Sequence, residues 1–333
     1  MRSLLIPLLA CLFFFHSCTE NSLIPESPDG KIKVPLGLDA DQAFTYRVLR
    51  DGKEMVKPSS FRLCFEQQGD FSGGLQMKLI SSDSHDTTWQ PLWGKTSSAR
   101  DQYNEYVVRL SERKGQLRFL HWVIRVYNDG VAFRYSFPEG SGFGAFRLTD
   151  ELCQFSLDAS DRAWAVNHGD YYTSQEHLFE ERPVGEIRRE ELIGCPLLVE
   201  VKDAGWLLLT EADLTDWAGL YFRADGQEPG EMLSSLAPLK RNPAIKVEAD
   251  SPVSSPWRVI MVGADPGDLI ESNLIANLND PSEYVDVDWI RPGLSAWDRW
   301  WSGDYGPDAG FELGMNTATM KYFVDLAHEM GWR

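Results

Sequence analysis

Trp289-Ile290-Arg291-Pro292-Gly293-Leu294-Ser295-Ala296-Trp297-Asp298-Arg299-Trp300-Trp301 opens the stretch that decides how this chain is read, and Ala327-His328-Glu329-Met330-Gly331-Trp332-Arg333 closes it. Leu294 to Trp301 has the composition of a short buried strand, and Gly303, Gly306, Pro307 and Gly310 supply a loop behind it. Tyr322, Phe323, Leu326, Ala327 and Met330 then recur at one-turn spacing. That spacing predicts a helix from about Thr317 to Met330, with Asn316 or Thr317 as its N-cap and Gly331 as its stop. Strand, loop and helix make the first unit of a βα architecture. A single unit cannot bury both its strand and the apolar face of its helix, so it requires partners that this sequence does not contain. Residues 286–333 therefore read as a linker and the first βα unit of a truncated barrel.

Upstream, from Gly30 to about residue 285, the hydrophobic period is mostly two. Lys31 to Leu38, Ala43 to Leu49, Tyr106 to Leu110, Trp122 to Val126, Val131 to Phe137, Leu197 to Val201, Trp206 to Leu209 and Trp257 to Val262 are β-rich runs. Asp51-Gly52, Lys114-Gly115, Asn128-Asp129-Gly130 and Ala204-Gly205 punctuate them as turns, and the Asn-Asp-Gly turn marks the clearest hairpin. Asp213 to Leu220 and Pro266 to Leu278 are the helix candidates before the barrel unit. No fixed-period repeat is evident, so a propeller or solenoid is not expected. The class is mainly β, a large sandwich in residues 30–285.

The sequence has 333 residues, 43% of them hydrophobic and 25% charged, which is ordinary for a globular chain. Its formal charge of −18 repels phosphate, which excludes nucleic acid as a partner and directs attention to cations and neutral ligands. Twelve tryptophans exceed what a core of this size needs, and aromatic rings suit the apolar faces of sugars. Residues 1–17 read as a signal peptide: Arg2 is a minimal basic region, and the apolar run from Leu4 to Phe15 is too short to span a bilayer. Ser17 followed by Cys18 resembles the end of a bacterial lipoprotein signal, with Cys18 as the lipidated residue. Membrane contact is then expected through the lipid anchor alone, and the protein in the periplasm or at the outer membrane. Residues 18–29 serve as a tether. Cys64, Cys153 and Cys195 are too scattered for a disulfide framework or a metal knuckle.

Several landmarks resemble one family. Ser27-Pro28-Asp29-Gly30-Lys31-Ile32, Trp93-Gly94, Tyr103-Asn104-Glu105, the segment Tyr127 to Tyr135, and Thr210-Glu211-Ala212-Asp213-Leu214 are similar to the N-terminal domain of glycoside hydrolase family 97. Trp297-Asp298-Arg299-Trp300-Trp301, with Asp325 to Trp332, resembles the start of its barrel. The resemblance implies a galactose-mutarotase-like super-sandwich followed by a (β/α)8 barrel, and an α-glucosidase or α-galactosidase acting on an α-linked oligosaccharide or glycoside, often with calcium. Glycoside hydrolysis needs two carboxyl groups, one acid and one base or nucleophile. The family takes these from later barrel strands, so no catalytic residue is assigned here and no hydrolysis is expected of these 333 residues alone.

The resemblance does imply a metal ligand from the sandwich. A Tyr-Glu motif of the family falls on Gln175-Glu176, making Glu176 the candidate calcium ligand and Asn167 a second, in a site that one carboxylate leaves incomplete. Trp297, Asp298 and Trp300 are the candidate substrate-binding residues, near the barrel end where active sites gather. Simpler roles cover the other conspicuous residues. Glu180 to Glu191 suits a solvated face, Glu211 and Asp213 suit the cap of a following helical turn, and Arg125 and Arg134 suit pairing across the hairpin. Two other functions stay open: a carbohydrate-binding lipoprotein without catalysis, and an aldose epimerase using a glutamate with His121, His168 or His177.

Overall fold

A computed structural model describes residues 22–284, 286–297, 310–311 and 313–332. Its contacts fall into two units, one of the described residues up to Trp89 with Ala99–Asp280, the other of Gln90–Ser98 with the described residues from Pro281 onward. The first unit is built from nineteen strands. These are β1 Ser22–Leu23, β2 Ile32–Lys33, β3 Leu36–Leu38, β4 Phe44–Arg50, β5 Lys53–Phe65, β6 Leu75–Trp89, β7 Ala99–Glu112, β8 Phe119–Tyr127, β9 Gly130–Phe137 and β10 Ala145–Ser156. They continue with β11 Arg162–Ala165, β12 Glu180–Pro183, β13 Leu197–Val201, β14 Gly205–Ala212, β15 Leu220–Ala224, β16 Glu231–Leu236, β17 Val247–Asp250, β18 Val253–Ser254 and β19 Trp257–Gly263.

Every pairing in the two sheets is antiparallel. The nine-stranded sheet runs β1-β3-β4-β5-β10-β16-β15, with β17 on β10 and β2 on β4. The ten-stranded sheet runs β12-β11-β13-β14-β19-β9-β8-β7-β6, with β18 on β9. This is the expected mainly β sandwich, and the Asn128-Asp129 turn joins β8 to β9 at the Tyr127–Gly130 pair as its sequence predicts. Gly130 is required there, because a Cβ would lie 2.7 Å from Leu274 Cδ1 and 2.8 Å from the Ile260 carbonyl.

Alternation writes the core directly. Leu120, Trp122, Ile124 and Val126 of β8, with Val131, Phe133, Tyr135 and Phe137 of β9, all face inward and are buried. They meet Phe44 and Tyr46 of β4 and Phe155 of β10; the Trp122 ring lies 4.8 Å from both Phe44 and Phe133. The other face of the ten-stranded sheet carries a smaller cluster around Tyr103, Trp257, Val259 and Met261, covered by Leu269, Leu274 and Leu278. Leu269 and Leu274 belong to two short helices, α1 Pro266–Glu271 and α2 Leu274–Asn277, and Leu278 caps the C-terminus of α2; together these replace the single helix expected over Pro266 to Leu278. Asp265 caps α1 in a capping box with Asp268, and Pro266 occupies its first turn.

Three expectations change. Asp213 to Gly219 is a loop and Leu220 opens β15, since Asp213 and Asp216 take left-handed backbone angles (φ +56° and +50°) that interrupt a helix. The chain is ordered within the stretch read as a tether, where Ser22–Leu23 pairs with Leu36–Gly37 and Glu26 bridges to Lys33. Within the second unit, the predicted helix is present as α3 Thr317–Glu329, capped by the Asn316 side chain and followed by Gly331 at φ +68°. Leu294 to Trp297, the described part of the predicted strand, has no strand pairing and leaves Leu294 and Trp297 exposed. A strand forms only against a partner.

Arg258 of β19 joins the two sheets. Its guanidinium makes a bidentate pair with Glu151 of β10 (2.7 and 2.8 Å), and both side chains are fully buried. Its remaining nitrogen reaches Glu211, its cross-strand neighbour on β14, at 3.0 Å. Burial alone would lower the Arg258 pKa, but the charges and hydrogen bonds of Glu151, then Glu211, more than offset it and the net shift is upward. Replacing Arg258 by Met leaves Glu151 as a buried charge without its partner. The expected loss is about 3–5 kcal/mol in urea denaturation, recovered in large part by adding Glu151→Leu. A loss below about 1 kcal/mol would show that the pair does not hold the sheets together.

Candidate functional site

The loop between β11 and β12 gathers the residues that the sequence singles out. Asn167 stands just beyond β11, exposed, and its Oδ1 already accepts the N–H groups of Gly169 (3.0 Å) and Leu192 (3.1 Å). That oxygen shapes the loop, and its donors compete with any cation for it. His168 follows, 7% exposed, with its ring 5.3 Å from His177 and edge-on to Tyr221 at 6.2 Å. Burial, then the neighbouring His177, lowers its pKa, which disfavours the charged imidazolium. Its Nδ1 is buried without a hydrogen-bond partner.

Tyr171 hydrogen-bonds Ser235 (2.7 Å) and packs edge-on against Tyr221. Gln175 takes φ +62° and donates from Nε2 to the Tyr221 hydroxyl at 3.0 Å. The residue in the tyrosine position of the family motif is thus a clasp between the loop and β15. Glu176, next along, is exposed and makes no hydrogen bond or ion pair among the described residues. No group of three or more His, Cys, Asp or Glu side chains converges on one point among the described residues. A hard cation asks for several oxygens. The loop therefore fits calcium to the extent of one free carboxylate.

Beside the loop lies a cleft of about 650 Å³ lined by Asn167, His177, Glu180, Arg182, Arg188 and Glu191 among others. The charged run Glu180 to Glu191 is solvated for most of its length, as its composition suggests, with Glu180, Glu181, Glu186, Arg188, Arg189 and Glu190 exposed; Arg182 and Glu191 depart from that. Glu191 is buried and binds Arg182 Nη1 through both oxygens (3.0 and 3.2 Å) and the Arg188 N–H (2.7 Å). Glu211 and Asp213 cap no helix: Glu211 binds Arg258 and the Leu220 N–H, and Asp213 pairs with Arg134 at 3.5 Å. Arg125 pairs with Glu105 at 2.8 Å rather than across its own hairpin, where its register partner is Ala132. Both arginines lie over the Trp257 ring, at 4.8 and 4.3 Å. The buried Glu151–Arg258–Glu211 group and the Arg182–Glu191 pair were missed in the sequence. Their signal is a charged residue inside an otherwise apolar strand, as with Arg258 in Trp257–Gly263.

The epimerase reading finds no support in this arrangement. His121 sits beside Arg109 and Phe119, and His168 beside His177; among the described residues, the histidine paired with a carboxylate is His85, 3.5 Å from Asp101. Trp297 is 72% exposed, while Asp298, Trp300 and Cys18 lie outside the described residues.

Residues 26–281 match the glycosyl-hydrolase 97 N-terminal family. The chain belongs to glycoside hydrolase family 97. Among family 97 relatives, a retaining alpha-galactosidase of Bacteroides thetaiotaomicron is 27% identical over 99% of this chain and 52% of its own length. A probable retaining alpha-galactosidase of Streptomyces bingchenggensis is 31% identical over 89% of this chain and 43% of its own. A family 97 enzyme from Pseudoalteromonas sp. strain K8, in complex with panose, superimposes with a TM-score of 0.81 at 26% identity. It covers 93% of this chain and 46% of its own, and the same enzyme is also known with acarbose. The chain thus spans about half the length of the family 97 proteins it matches.

Gly194 sets the position of His168 in this family 97 sandwich, because a Cβ there would stand 2.3 Å from His168 Nε2. Gly194→Ala is expected to cost about 1–3 kcal/mol by overpacking and to displace the ring. Chemical denaturation, with the His168 imidazole resonances followed by NMR, measures both, and an unchanged ring environment would refute the contact.

Proposed function

We propose that this chain is the sandwich and barrel entry of a retaining α-glycosidase of the α-galactosidase type. The observation that carries the reading is the match to a retaining alpha-galactosidase along 99% of the chain. An α-glucosidic substrate is the second reading, supported by the panose and acarbose complexes of the Pseudoalteromonas enzyme. Retention needs two carboxyl groups about 5 Å apart, one as nucleophile and one as acid and then base. On the family resemblance these come from barrel strands later than helix α3.

The sandwich then supplies position rather than bond-breaking. Glu176 offers a free carboxylate on a loop fixed by the Gln175–Tyr221 clasp and the His168–His177 contact, so its reach is set by rigid strands β11 and β15. Calcium, when bound, supplies a fixed positive charge for sugar hydroxyls and developing negative charge. On the family resemblance Trp297 would contact the sugar, together with Asp298 and Trp300, which lie outside the described residues.

Residues 18–333 are expected to release no p-nitrophenol from α-galactoside or α-glucoside. The same chain extended to family length is expected to turn over the α-galactoside faster, with retention seen by NMR of the first anomer. Turnover by residues 18–333 that survives repurification would overturn the assignment. Calcium is expected to bind residues 18–333 weakly and to lose that binding in Glu176→Gln. Titration giving a Kd tighter than about 1 μM would show that the sandwich holds a complete site.

A further inference from the structure

The outer face of the ten-stranded sheet carries a feature that the glycosidase reading does not use. Directly opposed residues of antiparallel strands share a face. Trp164 of β11 opposes Glu181 of β12 and Leu198 of β13, while Glu200 of β13 opposes Arg162 of β11 and Trp206 of β14. All of these side chains therefore leave one side of the sheet, and Ala163, Val199 and Leu207 point the other way into the core. Trp164 and Trp206 stand on strands separated by β13. Their rings meet above it, with centroids 5.1 Å apart and planes inclined at 34°.

Both indoles are partly exposed, and neither N–H has a hydrogen-bond partner among the described residues. Beside them the Arg162 guanidinium lies 3.1 Å from Glu181 and 4.0 Å from Glu200, and the three charged side chains are 56%, 52% and 44% exposed. This combination has a chemical meaning. Indole faces accept the C–H side of a pyranose, while unused N–H groups and planar charged groups meet its hydroxyls. One guanidinium between two carboxylates leaves a slight negative excess, which favours a neutral sugar over an anionic one.

We propose that Trp164 and Trp206, framed by Arg162, Glu181 and Glu200, form a second saccharide site for a neutral oligosaccharide. It is separate from the cleft beside the 167–179 loop. Arg182 of that cleft alternates with Glu181 and opposes the inward-facing Ala163, so the two sites lie on opposite faces of the sheet. The choice of a sugar rests on the glycosidase reading.

The test is calorimetric titration of the purified protein with panose and with raffinose, checked by tryptophan fluorescence. Trp164→Ala and Trp206→Ala are each expected to weaken binding at least about tenfold, and Glu176→Gln to leave this binding unchanged. Arg162→Ala and Glu200→Ala, at half-exposed positions, decide the matter if a tryptophan variant fails to fold. Absence of binding by the unaltered protein, or equal binding by folded variants, would overturn the proposal. Hydrolysis by the family-length protein, measured separately, distinguishes failure of this site from failure of the glycosidase reading.

Discussion

One buried arginine sets the relation between the two sheets. Arg258 projects from β19 into the core, meets Glu151 from the middle of the opposite sheet, and shares its remaining charge with Glu211 on the adjacent strand. Hydrophobic contact is tolerant of sliding, because area is conserved when one apolar face shifts over another. A bidentate guanidinium–carboxylate pair is not, since both bonds depend on a fixed plane and separation. Around this anchor the rings of Phe44, Tyr46, Trp122, Phe133 and Phe155 fill the space between the sheets.

Glu211 carries that constraint toward the functional end. Its Oε1 holds the N–H of Leu220, the first residue of β15, and Tyr221 next in line is the anchor of both Gln175 and the His168 contact. A continuous path of hydrogen bonds and ring contacts thus runs from the centre of the core to the loop that bears Glu176. The loop is irregular backbone, yet its ends and its middle are each fixed to a strand. Such support lets an exposed carboxylate keep a defined location.

The sequence made the sandwich legible wherever one strand face was buried and the other was not. Trp122 to Val126, Val131 to Phe137 and Leu197 to Val201 alternate cleanly, and each is a strand in the structure. It was silent about β6, whose outer half is exposed on both faces and owes its conformation to fourteen paired positions on β7 rather than to its own pattern. Lys53–Phe65 was hidden by Pro58 and its charged residues, and Ala145–Ser156 by Glu151, whose burial depends on a partner more than a hundred residues away. Asp213 to Leu220 imitated a helix because periodicity cannot register two left-handed residues. At the site, Glu176 and Asn167 did lie on one loop, but the two hydrogen bonds that occupy the Asn167 oxygen come from its turn and from Leu192, which a linear pattern does not reveal.

Strand β19 lies between two groups of four, with β12, β11, β13 and β14 on one side and β9, β8, β7 and β6 on the other. Among the described residues it is also the last of the nineteen strands in chain order, and all seven of its residues are buried. Ribosomal synthesis delivers the outer groups before the strand that welds them, so Val131 waits for Ile260 and Leu209 waits for the same residue from the opposite edge. The edges of β9 and β14 stand open through that interval, which makes folding of this sandwich a late, long-range event and leaves its nascent form dependent on protection from pairing with other chains.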